Sequence, residues 1–337
     1  MEDFSPERER ELRRKLIHVY QDIISIENLL ISFQEFLRGK RRRKDVILFG
    51  LNLMDNIILL HFELLNKSYE HGSYLSFKIN DPKPRDIHKA SVRDRVLHHA
   101  VFRILYPYFE KKFIFDSYSC QINKGTHKAI YRFRQLSRKV SANNTKTCWV
   151  LRCDIRKFFA NIDHQVLKDI LLRYIEDEEI LWLLGHVIDS FQTEEQREVG
   201  LPLGNVTSQL LINVYMNEFD QFMKRELKVK YYIRYCDDFV ILHQDKPYLE
   251  NLMPQISEFL GSQLKLSLHK DKVFIKRLSN GIDFLGWVHF HHHRILRTAT
   301  KRRMFKKLKE NKTQETINSY LGLLKHGNTY KLVKRIG

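Results

Sequence analysis

Cysteine is scarce in this chain. The 337 residues contain four, Cys120, Cys148, Cys153 and Cys236. None stand at Cys-x-x-Cys spacing, which argues against a zinc ribbon, and nothing suggests a disulfide framework, which fits a reducing compartment. Glycine and proline are also few, at 13 and 7. Such sparse punctuation favours helix-rich structure, and no low-complexity linker or internal repeat breaks the chain. Acidic residues are outnumbered: 40 Asp and Glu stand against 58 Lys and Arg, a formal charge of +18. That surplus points to polyanions as partners, nucleic acid first and a membrane surface second. Long apolar runs are missing too. The best attempt, residues 46–65, is interrupted by Asp55, His61 and Glu63 and reads as a buried or amphipathic helix rather than a span. The start, Met-Glu-Asp-Phe-Ser-Pro-Glu-Arg, has no apolar core of a signal peptide, so no membrane partner and a cytoplasmic location are expected. What the chain does have is a hydrophobic fraction of 43%, enough for a globular protein.

Residues 1 to about 70 read as helical. Leu12, Leu16, Val19, Tyr20, Ile23 and Ile24 recur at helical spacing, as do Leu51, Met54, Ile57, Ile58 and His61. Between them lies the basic run Arg38-Gly39-Lys40-Arg41-Arg42-Arg43-Lys44, either a solvated loop or a phosphate contact. Asp81-Pro82-Lys83-Pro84-Arg85-Asp86-Ile87 is extended and feeds a helix over 92–105. Cys148-Trp149-Val150-Leu151-Arg152-Cys153-Asp154-Ile155 is a strand, and its alternation puts Val150, Arg152 and Asp154 on one face. Helices follow near 165–175 and 179–191. Gly200-Leu201-Pro202-Leu203-Gly204-Asn205-Val206-Thr207-Ser208-Gln209 is a loop opening another helix, with Thr207 or Ser208 as cap. The tail from Thr298 is basic and helical.

The most informative stretch is Tyr231-Tyr232-Ile233-Arg234-Tyr235-Cys236-Asp237-Asp238-Phe239-Val240-Ile241-Leu242. Two short aromatic and β-branched runs flank a polar break, the pattern of strand, tight turn, strand. Adjacent carboxylates at such a turn repel unless a cation sits between them. A pair of Mg²⁺ ions would supply it, and two-metal phosphoryl chemistry is the commonest use of such a pair. A solvated hairpin tip has the same dipeptide, so other stretches must decide. They stand in order: Pro84-Arg85 with its helix, the Asp154 strand, the Gly-Leu-Pro-Leu-Gly loop, Tyr-Cys-Asp-Asp, and Phe284-Leu285-Gly286-Trp287.

This ordered series resembles that of reverse transcriptases over residues 81–290. The resemblance implies an α+β right-hand polymerase, with an RRM-like antiparallel palm sheet packed on helices. Its parts would be an N-terminal helical extension (1–80), fingers (81–148), a palm carrying the aspartates (149–290) and a basic helical thumb (291–337). It implies that Asp154, Asp237 and Asp238, with the backbone carbonyl of Ile155, hold two Mg²⁺ ions. Lys272 matches the lysine proposed to protonate the leaving pyrophosphate, with Lys270 as a rival. Arg85, Lys124, Phe159, Leu203 and Gln209 fall at positions that meet the incoming dNTP, and the ring of Phe159 would exclude a 2′-hydroxyl. Asp154 is alternatively a strand-end residue paired with Arg156 or Lys157.

Within the family, the thumb motif Val-Thr-Gly of retron enzymes is missing, and no maturase, ribonuclease H or integrase segment is seen. Three stretches resemble the enzymes of diversity-generating retroelements: Leu203-Gly204-Asn205-Val206-Thr207-Ser208-Gln209, Ser117-Tyr118-Ser119-Cys120-Gln121-Ile122-Asn123-Lys124-Gly125-Thr126-His127-Lys128-Ala129, and Ser319-Tyr320-Leu321-Gly322-Leu323-Leu324-Lys325-His326-Gly327-Asn328-Thr329-Tyr330. Asn123 departs from the more usual glycine. That resemblance implies a bacterial or phage-encoded enzyme that copies a template RNA with errors at adenines. It also implies an RNA/cDNA duplex and a small basic oligomeric accessory protein as partners. A related defence reverse transcriptase, making DNA for antiviral protection, is the alternative. His289 with His291-His292-His293 is read as a solvated loop or backbone contact near the primer, zinc being the lesser option.

Overall fold

The computed structural model describes residues 14–80, 84–193 and 198–336. The chain divides between two compact units that interleave along the sequence. The first takes the chain up to Phe115, then Arg156–Phe222 and Phe259–Ser267; the second takes Asp116–Ile155, Met223–Glu258 and the chain from Leu268.

The first unit is mostly helical. Its axis is helix Val92–Glu110, opened by Ser91, whose hydroxyl accepts from the Asp94 amide. Helices Tyr20–Ile24, Ile26–Phe36, Lys44–Leu51 and Val206–Gln221 pack on it. The apolar spacing from Leu12 predicts a helix through Leu16, but the described helix starts at Tyr20. Leu16 is extended instead and bridges Ile175, its amide donating to the Tyr174 carbonyl at 2.9 Å; Leu12 lies outside the described residues. A tertiary partner has overridden local periodicity there. β1 (Leu75–Ile79) and β2 (Arg85–Lys89) pair antiparallel; Asp81, Pro82 and Lys83 of the two-proline stretch lie outside the described residues. Among the described residues no single helix is long and apolar enough to cross a membrane.

The second unit carries a four-stranded antiparallel sheet of β3 (Trp149–Asp154), β4 (Tyr232–Tyr235), β5 (Asp238–His243) and β6 (Phe274–Arg277), in spatial order β4-β5-β3-β6. With three α-helices between β3 and β4 and one between β5 and β6, this is the strand order of a split βαβ sheet. Helix Thr126–Val140 covers one face. Its Ala129, Phe133, Leu136 and Val140 meet Val150, Ile233, Val240 and Leu242, all buried. Deleting the Phe133 ring would cost ~3–5 kcal/mol. A second antiparallel sheet follows, of β7 (Ile282–Phe284), β8 (Trp287–His289) and β9 (Arg294–Leu296). Helices Thr298–Glu310 and Gln314–Leu324 bury Met304, Leu308 and Leu324 against Trp287 and Leu296.

The four thiols are free. Cys148 and Cys153 are buried along β3, and burial pushes Cys148 up to about 12 and Cys153 higher. Cys236 is half-buried and Cys120 exposed.

Candidate active site

The site is built on two strands. β3 and β5 run antiparallel with Asp154 directly opposite Asp238. The tight turn between β4 and β5 sets Asp237 beside them, with Cys236 at φ +61°, a left-handed conformation costly for a side chain of this kind. Arg234, fully buried, donates from Nη1 to the Cys236 carbonyl at 3.1 Å and so braces the turn. The Ile155 amide donates to the Asp237 carbonyl at 3.1 Å, tying the end of β3 to the turn.

Beyond Asp154 the chain is pinned from the other side. Ile155 bridges Leu268, and the His269 amide donates to the Asp154 carbonyl at 2.8 Å. The turn from His269 to Lys272 then carries the Lys272 Nζ to 2.9 Å from Asp154 Oδ1. Lys272 is thus a cation on Asp154. Arg152 lies two residues from Asp154 on the same face and reaches diagonally to Asp238, Nε to Oδ1 at 3.1 Å and Nη2 to Oδ2 at 2.9 Å.

The electrostatics follow from crowding. Burial raises the Asp237 carboxyl, and Asp154 raises it further. Burial pushes Asp238 up to about 6 even though Arg152 pulls the other way. Carboxylates with raised proton affinity are the groups a divalent cation would relieve. As oxygen donors, Asp154, Asp237 and Asp238 suit a hard divalent ion. Among the described residues, however, no three His, Cys, Asp or Glu side chains are gathered as a metal site. Asp154 and Asp238 are held by Lys272 and Arg152, contacts with which a metal there would have to compete.

The expected nucleotide residues separate by unit. Lys124 is in the second, where its Nζ donates to the Ser117 carbonyl at 2.9 Å and lies 5.2 Å from the Tyr118 ring. Arg85, Phe159, Leu203 and Gln209 are all in the first, and backbone bonds draw their segments together. The His88 amide of β2 donates to the Leu203 carbonyl at 3.1 Å, and the Asn205 side chain donates to the His88 carbonyl at 3.1 Å. The Leu201 amide donates to the Phe159 carbonyl at 2.8 Å. Gly204, at φ +112°, allows the close approach: a Cβ there would stand 3.1 Å from the Ile87 side chain. Phe158 is buried and Phe159 half-buried, while Arg85 is exposed at the start of β2. Gln209 sits in the first turn of helix Val206–Gln221. The expected cap is corrected: Asn205 holds that position without a side-chain cap bond, while Thr207 and Ser208 are buried inside the first turn.

One member of the histidine tract is corrected, while His292 and His293 are exposed. His289 is buried, not solvated; burial pushes it down to about 4, and its Nε2 lies 3.2 Å from the Phe284 carbonyl. Sequence reading missed Arg234 as a support. Its signal was present, a lone charge inside the aromatic and β-branched strand Tyr232–Tyr235.

The family described as reverse transcriptase (RNA-dependent DNA polymerase) matches residues 78–289. This chain belongs to that family. The reverse transcriptase is 27% identical to Protein YkfC of Escherichia coli (strain K12), over 72% of each chain. It is 24% identical to the group II intron-encoded protein LtrA of Lactococcus lactis subsp. cremoris, over 62% of this chain and 45% of LtrA. It thus spans under half of that relative's length. In fold, the reverse transcriptase is similar to the apo telomerase of Candida tropicalis truncated from its C-terminal domain. The TM-score is 0.52 at 12% identity, covering 68% of this chain and 55% of that one. Mixed helices and antiparallel sheets make the architecture an α+β polymerase fold.

Proposed function

We propose that the chain makes cDNA on a template RNA by two-metal nucleotidyl transfer, and that it serves mutagenic retrohoming in a diversity-generating retroelement. The observation that carries the chemistry is Asp154 set opposite Asp238, with Asp237 in the adjoining turn. These three and the Ile155 carbonyl would hold two Mg²⁺ ions, which supply activation of the primer hydroxyl and charge neutralisation at the triphosphate. Lys272, already at the Asp154 carboxylate, has the proton to give to the leaving pyrophosphate. Arg85, Lys124, Phe159, Leu203 and Gln209 are assigned to the dNTP by their places in the motif series. Division into an N-terminal extension, fingers, palm and thumb at 80, 148 and 290 belongs to the same reading, as does a bacterial or phage source and a cytoplasmic location.

The retroelement assignment rests on the Leu203–Gln209, Ser117–Ala129 and Ser319–Tyr330 stretches. Template RNA, the RNA/cDNA duplex and dNTPs are the substrates on this reading, with a small basic oligomeric protein as accessory. The test is primer extension on RNA with Mg²⁺ and dNTPs, wild type against Asp237→Ala, followed by sequencing of the cDNA. Extension that survives Asp237→Ala refutes the site; a cDNA error spectrum with no excess at template adenines refutes the retroelement role.

A further inference from the structure

A cleft of about 210 Å³ lies within the second unit, its lining free of the three aspartates, between helix Thr126–Val140, the β8–β9 hairpin and the 325–328 loop. Among its lining residues are Arg134, Arg294 and Lys325, and none is acidic. Arg294 is the unusual member. It is 7% exposed, and its Nη1 is buried without a hydrogen-bond partner. Its Nε donates to the His326 carbonyl, and its guanidinium carbon sits 4.7 Å from the centre of the Tyr131 ring. A buried guanidinium hydrogen without an acceptor is unfavourable, and an anion in the cleft would offer one.

The cleft is held in shape rather than left to the solvent. The Asn328 amide donates to the Arg294 carbonyl at 2.9 Å, and His326 stacks on His127 at 3.6 Å while meeting the Tyr131 hydroxyl at 3.2 Å. Gly327 fits the loop against Trp287, where a Cβ would overlap the indole ring. Arg134 and Lys325 are exposed at the rim. The permanent positive charges of the cleft are those of the two arginines and the lysine. Two guanidinium groups and an ammonium, with no carboxylate among them, match an oxyanion of more than one charge.

We infer that this cleft is a binding site for a phosphate group, with Arg294 as its buried anchor and Arg134 and Lys325 as its rim. The group is carried either by a nucleic-acid backbone or by a small free anion.

Two measurements on the full chain separate the sources, and neither involves DNA synthesis. In the first, inorganic phosphate replaces chloride at constant ionic strength and thermal unfolding is followed. The wild-type midpoint should rise, and the rise should be lost in Arg294→Gln and in the rim variant Arg134→Gln/Lys325→Gln, which keeps the buried anchor should Arg294→Gln not fold. In the second, a short single-stranded RNA is bound at increasing KCl in EDTA. If the phosphate is an RNA phosphate, the rim variant lowers the log–log salt slope by about 1.4, roughly 0.7 for each lost contact. An unchanged slope with a lost response to inorganic phosphate assigns the cleft to a small anion. The inference is overturned if the salt slope is unchanged and inorganic phosphate either fails to stabilise the wild type or stabilises the variants equally.

Discussion

Arg152 grips Asp238 at two points, Nε–Oδ1 at 3.1 Å and Nη2–Oδ2 at 2.9 Å, across strands whose register sets Asp154 opposite the same aspartate. One guanidinium therefore balances a carboxylate that burial disfavours. Together with Lys272 on Asp154, it offsets part of the negative charge gathered by the three aspartates.

This arrangement predicts a pH-dependent penalty. The Asp238 carboxyl rises from 3.8 to about 6 on folding. Folding thus favours its protonated form, and that contribution is complete below the unfolded value and lost as pH rises through about 6, at most ~3 kcal/mol at ~1.36 kcal/mol per unit. Removing the guanidinium pushes the carboxyl higher still. Arg152→Met should lower the unfolding midpoint in EDTA more at about pH 7.5 than at about pH 5. An equal loss at both would show that Arg152 acts by packing alone.

Lys272 and Lys270 can be told apart. Only Lys272 has its ammonium at Asp154, at 2.9 Å. Lys272→Met should lower the extension rate on the order of 10²-fold, the scale of general acid catalysis, and Lys270→Met should not. Single-turnover kinetics with saturating dNTP make the comparison, and the reverse ranking would reassign the proton donor.

Leu203 should bear on fidelity. Its backbone is fixed by the His88 amide, so a new side chain changes the chemistry there without moving the loop. Leu203→Gln introduces an amide and should reduce misincorporation opposite template adenine. Sequencing the cDNA of both enzymes decides; identical spectra reject a role for this position.

Gly327→Ala should destabilise the tail. The added methyl overlaps Trp287, with Cη2 at 2.7 Å, and overpacking of this kind costs ~1–3 kcal/mol. Chemical denaturation measures it, and an unchanged midpoint would mean that the 325–328 loop yields.

Much of the site could be read before folding was known. Asp154 and the Asp237–Asp238 pair stand out because strand alternation and turn chemistry are local properties. The partners of those aspartates were not legible. Arg152 is adjacent to Asp154 in the face pattern yet serves Asp238, and that choice depends on register, which side-chain periodicity does not fix between separate strands. Lys272 needed the His269 turn to be resolved from Lys270. Leu16 kept helical spacing but gave its backbone to Ile175, and His289 looked like part of a solvated tract until β8 buried it. In each case a contact distant in sequence outweighed the local preference.

The distribution of the four thiols has a practical consequence. Cys148 and Cys153 are sealed in β3, and Cys236 is half-buried with its thiol pushed well above the ordinary value by burial. Cys120 alone among them is exposed. A maleimide dye would accordingly report from one defined place on the native chain, giving single-molecule experiments a fixed observation point without engineering.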